Sequence, residues 1–177
     1  MTDSALQQKR LTAAAIDILV CIGIGVAFWV LALGMGLALG MASSTVASYA
    51  GRVFNLIGSL VMLGYILGRD VLFDGRSLGK KTQELRVVGA SGGAVSFGQS
   101  ARRNALFAVG SALTTLSMLF QLFPCVGDAV ACLLMPLLLV GVLAAFAAAI
   151  VEIVMIIQDP AGIRIGDKFA RTRVVRA

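Results

Sequence analysis

Long apolar runs separated by short polar connections are the main pattern of this chain. A helix needs roughly 20 apolar residues to cross a hydrocarbon core of ~30 Å, and each run reaches or approaches that length. The pattern predicts transmembrane helices at residues 11–41, 47–68, 104–123 and 129–157. We therefore expect an all-α membrane protein, built as a four-helix transmembrane bundle. Residues 1–9 form a short tail, and residues 10–177 form one membrane domain.

Positively charged residues lie almost entirely on one side of these four helices. Every Lys and Arg of the chain except Arg52 lies in residues 1–10, 69–103 or 158–177. Cytoplasmic segments near membrane helices are enriched in Lys and Arg, so this distribution predicts that both termini and the long loop are cytoplasmic. The membrane is expected to be the cell (inner) membrane.

Two polar segments of the chain repeat each other at an offset of 87 residues. Cassette 1 spans residues 76–88 and cassette 2 spans residues 164–175; both read small–x–Lys, then four residues, then Arg-Val-Val. The repeated positions, together with the intervening acid, are Gly79, Lys81, Arg86, Gly166, Asp167, Lys168 and Arg173. Each cassette follows a pair of apolar runs, an order that would fit an internal duplication with parallel halves, but beyond the cassettes the two halves show no convincing match. We expect the cassettes to form one basic cytoplasmic platform of short helical pieces and Arg-Val-Val strands.

The long loop carries strand and turn signals of its own. Residues 85–88 and 94–97 flank a glycine-rich turn, which predicts a small cytoplasmic hairpin. Residues 173–175 could add a strand and give a three-stranded sheet, which would be more stable than an isolated hairpin. Ser96 and Gln99 have the spacing of a capping box, which predicts that the next helix begins there.

Two carboxylates lie inside apolar runs, where an ionised group is costly. Asp17 lies about 9 Å into the first helix and Glu152 about 7.5 Å from the cytoplasmic end of the fourth, at 1.5 Å per residue. A charge at a helix centre costs roughly 2.5–3.5 kcal/mol on insertion scales, so each needs a partner, a wet cavity or a raised pKa. Arg10, two turns before Asp17, is one candidate partner; the alternative is that it anchors the helix at the headgroups.

The composition argues against several classes of function. Hydrophobic residues make up 59% of the chain, against about 45–50% in soluble domains. His is absent, which removes the commonest metal ligand and the usual base at neutral pH. No nucleophile–base spacing stands out, so we expect no enzyme activity, no cofactor and no nucleic-acid partner. Cys125 and Cys132 would pair only if their end of the helix faced an oxidising compartment.

These residues resemble the RDD family of small multi-helix membrane proteins. The family has an Arg at the start of the first helix and an Asp further along it, matched here by Arg10 and Asp17. Its second Asp is matched by Asp74, and its closing segment by residues 166–175. The resemblance implies a membrane domain, and either a transporter or an assembly factor within a larger membrane complex.

Two functions therefore remain open on the sequence. The first is a secondary transporter of a cation or small solute, with Arg10, Asp17, Asp74 and Glu152 as its polar cluster. Four helices are few for a pathway, so a transporter of this size would need a homo-oligomer. The second is a non-catalytic scaffold or assembly factor, whose basic platform binds anionic lipid headgroups on the cytoplasmic side or a membrane partner.

Overall fold

The computed structural model describes residues 3–123, 127–158 and 163–176. Most of the chain is helical, with one small sheet. The elements are, in order, α1 (Asp3–Gly40), α2 (Ser44–Gly68), α3 (Leu78–Thr82), β1 (Leu85–Gly89), α4 (Phe97–Phe120), α5 (Gly127–Gln158), α6 (Ile165–Ala170) and β2 (Thr172–Arg176). Two long helices, one short helix and one strand thus occur twice in the same order.

Three of the four long helices are long and apolar enough to cross a membrane. They are α1, α2 and the stretch Cys132–Met155 of α5. The helix α4 was predicted as a fourth span, but by length and composition it is not one of the three candidates. Hydroxyl residues interrupt its apolar run, and they bond back to the helix: Thr114 Oγ1 donates to Gly110 O at 3.0 Å. Such back-bonding satisfies the hydroxyl within the helix.

The sheet has two strands in the described residues, and it is not the predicted hairpin. β1 pairs antiparallel with β2, with Val87 opposite Val174. The predicted strand at residues 94–97 is wrong, since 94–96 are irregular and Phe97 begins α4. Ser96 N donates to Gln99 Oε1 at 3.0 Å, and Gln99 N donates to Ser96 Oγ at 3.3 Å. The predicted capping box is confirmed, and it starts the helix where a strand was expected.

The chain divides into two compact units. Unit 1 comprises residues 1–20, 64–108 and 145–177 as far as they are described, and it contains both cassettes. Unit 2 comprises residues 21–63 and 109–144. Every residue of the candidate site below belongs to unit 1.

Unit 2 consists of long helices that approach closely at glycines. Gly110 lies close to the backbone of Gly141, and small residues of this kind let membrane helices approach. Arg52 donates to the carbonyl of Gln121, just after α4, at 2.5 Å. A cation at a helix C-terminus also interacts favourably with the helix dipole. Cys132 is an exposed free thiol, and Cys125 lies outside the described residues.

Candidate functional site

The two cassettes have the same backbone structure. Each is a short helix followed by a strand, with an extended residue before the helix: Ser77 (φ −78°, ψ 170°) and Arg164 (φ −88°, ψ 164°). The left-handed residues before the strands, Glu84 (φ 55°) and Arg171 (φ 51°), also occupy equivalent positions. The predicted platform of two short helices and two Arg-Val-Val strands is confirmed as a structure.

Each cassette helix docks on a long helix through its glycine. A Cβ on Gly79 would overlap the carbonyl oxygen of Ala13 in α1, and a Cβ on Gly166 would overlap that of Arg103 in α4. Neither neighbour can move easily, because both are backbone atoms within a helix. Gly79 and Gly166, the small residues at the start of the two copies, are therefore required because a larger side chain would collide with the neighbouring helix.

Asp17 holds cassette 1 against α1. Its carboxylate is 3% exposed and accepts hydrogen bonds from Ser77 Oγ at 2.6 Å, Gly79 N at 2.8 Å and Tyr65 Oη at 3.3 Å. Two of these donors lie at the start of α3, where a carboxylate satisfies N–H groups that have no partner inside the helix. The cost of burying this charge is thus met by three donors in the surrounding protein.

Arg10, the other family residue on α1, contacts cassette 2. Its Nη2 donates to Val174 O in β2 at 2.9 Å. Arg10 and Asp17 are two helical turns apart on α1, and they engage different cassettes. This arrangement joins α1 to both copies of the repeat.

A second buried carboxylate, Asp70, lies just after the end of α2 and was not among the site residues predicted from the sequence. It is fully buried and forms an ion pair with Lys80 of α3. It also accepts from Asn104 Nδ2 at 3.0 Å, and Arg103 Nε lies 3.6 Å from its Oδ2. Arg69 completes this group by donating to Asn104 Oδ1 at 2.6 Å. Cassette 1 is thereby joined to the first turns of α4.

Cassette 2 is held by an equivalent set of ion pairs. Asp167 of α6 is buried, and its Oδ1 lies 2.9 Å from Arg103 Nε. Arg164 lies 3.1 Å from Glu152 of α5 and 3.7 Å from Asp167. The ion pairs therefore run as one alternating series of Lys80, Asp70, Arg103, Asp167, Arg164 and Glu152.

Positive charge outweighs negative charge around Asp70. Burial alone would raise the pKa of its carboxyl, but the charges of Lys80, Arg103 and Arg69 hold that pKa well below its usual range. Burial lowers the pKa of Lys80 to about 7, against the attraction of Asp70 and with added repulsion from neighbouring arginines. Since arginine does not lose its proton in proteins, Lys80 is the cation here that can titrate near neutral pH.

The predicted site residues are not all brought together. Asp17 and Glu152 are buried, but each is engaged by its own cassette. Asp74 is exposed and has a left-handed backbone (φ 51°) beside Gly75, so it marks a turn. Of the two adjacent lysines in cassette 1, Lys81 is the exposed one, with its Nζ 4.7 Å from the ring centre of Phe73.

The remaining basic residues of the repeat lie at the surface. Lys168 and Arg173 are exposed, and Arg86 is half-buried. Within residues 3–123, 127–158 and 163–176, the His, Cys, Asp and Glu side chains form no group of three or more that could hold a metal ion.

Comparison with known proteins gives one result. The family model described as RDD family matches residues 5–171, which is nearly the whole chain. No curated protein and no solved structure gives a significant match.

Proposed function

Since this chain belongs to the RDD family of membrane proteins, we propose that it is a non-catalytic scaffold whose basic platform binds anionic lipid headgroups. We further propose that α4 crosses the membrane together with the three apolar helices, in the cell (inner) membrane. Both termini and both cassettes would then be cytoplasmic, in agreement with the positions of Lys and Arg in the sequence.

One observation carries the scaffold proposal: the carboxylate of Asp17 is occupied by the protein itself. Three donors from α2 and cassette 1 hold it, and Glu152 is held by Arg164 in the same way. A carboxylate that carries a transported ion must exchange its ligands during each cycle. Asp17 and Glu152 instead fix the positions of the two cassettes relative to the long helices, as expected of groups that stabilise a binding surface.

The lipid partner is supported by the exposed face of the two cassettes. Lys81, Lys168, Arg171 and Arg173 are exposed, and Phe169 beside them is 77% exposed. Each Lys or Arg near an anionic surface contributes about 1 kcal/mol of binding. An exposed aromatic ring next to such cations can insert at the level of the headgroups.

The test compares the protein in nanodiscs of neutral phosphatidylcholine with nanodiscs that contain phosphatidylglycerol. We expect a higher Tm and retention of phosphatidylglycerol during native mass spectrometry, both reduced by the double variant Lys168→Gln/Arg173→Gln. The charge-preserving variant Lys168→Arg/Arg173→Lys is the matched control and should behave as the wild type. Equal behaviour of all three proteins in both lipids would contradict the proposal.

A second candidate function is cation or proton transport by a homo-oligomer. It is favoured by the buried Lys80–Asp70 pair, because a lysine whose pKa is about 7 can take up and release a proton near neutral pH. Flux measured in proteoliposomes separates the two functions. Flux that Asp17→Asn or Lys80→Met abolishes in a folded protein would favour transport; absence of flux for protons and a range of cations would favour the scaffold.

A further inference from the structure

The guanidinium group of Arg103 is buried with most of its hydrogen-bonding capacity unused. The residue is 2% exposed. Its Nε lies near Asp167 (2.9 Å) and Asp70 (3.6 Å), but the N–H bond is not aligned for a hydrogen bond with either. Neither terminal nitrogen has a hydrogen-bond partner in the part of the chain that the structure describes. Buried donors are nearly always satisfied, and charged donors are the most costly to leave without an acceptor.

Several cations crowd around Arg103. Its ion-paired series contains Lys80, Arg103 and Arg164 with the carboxylates of Asp70, Asp167 and Glu152, and Arg69 adds a fourth cation through Asn104. Arg164 and Arg69 both act repulsively on Arg103. A fourth carboxylate, Asp17, acts attractively on Arg164, but it accepts its hydrogen bonds from Ser77, Gly79 and Tyr65.

The free part of the guanidinium group has the shape of an oxyanion receptor. Asp167 and Asp70 are nearest to Nε, while neither terminal nitrogen has a hydrogen-bond partner among the described residues. A planar pair of N–H₂ groups matches two oxygens of a phosphate, which is why arginine is favoured where phosphate is bound. Arg103 also lies in the second turn of α4, next to the exposed Arg102.

We propose that the terminal nitrogens of Arg103 bind one phosphate group, from either a lipid headgroup or free inorganic phosphate. The bound group would supply the missing acceptors and reduce the repulsion among Arg69, Arg103 and Arg164. This site is separate from the exposed cations of the platform and does not depend on lipid binding there. Because both nitrogens are buried, binding requires a local opening around Arg103. The rise in Tm caused by phosphate should therefore increase with the time for which the protein is incubated with phosphate.

The experiment measures Tm of the detergent-purified full chain in inorganic phosphate and in chloride at matched ionic strength. A ligand that binds only the folded state raises stability, and we expect phosphate to raise Tm by about 2–4 °C over chloride. A second arm adds phosphatidylglycerol to the same protein in a phosphate-free maltoside detergent, without inorganic phosphate. A rise with inorganic phosphate identifies free phosphate as a ligand. A rise only with phosphatidylglycerol identifies the headgroup, provided that Arg103→Lys removes it and the platform variant Lys168→Gln/Arg173→Gln keeps it.

Two variants decide whether Arg103 is responsible. Arg103→Lys keeps a cation within reach of Asp70 and Asp167 but removes both terminal nitrogens, so the phosphate effect should disappear. Arg102→Lys, at the exposed neighbouring position, is the matched control and should keep it. No effect of phosphate in either arm, or an effect that Arg103→Lys retains in full, would overturn the proposal.

A further variant keeps the test informative if Arg103→Lys does not fold. Lys80→Met leaves Arg103 intact and removes one neighbouring cation that would attract the phosphate, so it should weaken the phosphate effect without abolishing it. Bound phosphate should also make Lys80 easier to protonate, which would shift the pH dependence of Tm upward in phosphate. An unchanged effect of phosphate in Lys80→Met, with no such shift in the wild type, would count against the site.

Discussion

Replacing Gly79 by alanine should loosen cassette 1 from α1. The new Cβ would overlap the carbonyl oxygen of Ala13 and would lie 3.0 Å from Asp17 Oδ1. Because Ala13 O is a backbone atom inside a long helix, relief must come from movement of α3. That movement would lengthen the 2.8 Å hydrogen bond from Gly79 N to Asp17.

The expected loss of stability has two parts. Overpacking at a tight contact costs about 1–3 kcal/mol, and a hydrogen bond to a charged group contributes about 1.5–3 kcal/mol. Together they give a loss of about 3–6 kcal/mol when the bond is broken, and the lower part of that range when it is only stretched. At about 2–4 °C of Tm per kcal/mol for a chain of this size, Gly79→Ala should lower Tm by more than about 5 °C.

Thermal unfolding of a fluorescent fusion, followed by size-exclusion chromatography in detergent, gives the measurement. Gly98→Ala is the matched control, since a Cβ there meets nothing within 4 Å and glycine is a poor helix former. It should leave Tm unchanged or raise it slightly. Gly166→Ala should behave like Gly79→Ala, because its Cβ would overlap the backbone of Arg103. A Tm within about 1 °C of the wild type for both cassette variants would refute the docking geometry.

Three further results are expected. Between pH 7 and about 10.5 the unfolded chain keeps a proton on Lys80 that the folded chain gives up. The free energy of unfolding, measured as Tm, should therefore rise with pH over this window. If the same rise persists in Lys80→Met, Lys80 is not its cause. With the native cysteines replaced by alanine, Val87→Cys/Val174→Cys should form a disulfide on oxidation, because the two positions lie opposite each other in the sheet. The control Val87→Cys/Val175→Cys should not form one. The disulfide is detected as a shift in mobility on gels run without reductant. Asp17→Asn should lower the free energy of unfolding by a few kcal/mol, and with it Tm, because the hydrogen bonds from Ser77, Gly79 and Tyr65 lose their charge assistance. A Tm equal to that of the wild type would show that the charge is not needed.

Local sequence patterns predicted the repeated cassettes well, for a physical reason. Gly79 and Gly166 are small because each touches a helix backbone, and the Arg-Val-Val segments repeat because they pair with each other. The same kind of reasoning failed for residues 94–97. A strand of four residues is weakly specified, and the local bonds between Ser96 and Gln99 start a helix there instead.

The buried charge pairs were much harder to predict. Lys80 and Lys81 are adjacent and chemically identical, yet one is buried and the other exposed. Which lysine is buried depends on where α3 docks, and that is set by contacts with α1 and α4 far away in sequence. Asp70 follows the end of an apolar run, where an acid normally faces water. Only the approach of Arg103 and Asn104 from α4 encloses it.

The two cassettes are equivalent in backbone but opposite in charge at one position, and this difference accounts for how they fit together. Lys80 and Asp167 occupy the same place in the repeat, and Val87 and Val174, also equivalent, lie opposite each other in the sheet. The local two-fold axis therefore passes between those two valines. Lys80 pairs with Asp70, Asp167 pairs with Arg103, and Asp70 and Arg103 also approach each other. An acid at both repeat positions would place a fourth carboxylate in the buried series and leave Asp70 with one cation fewer. The two cassettes are thus joined by a charge asymmetry that a symmetric repeat could not provide.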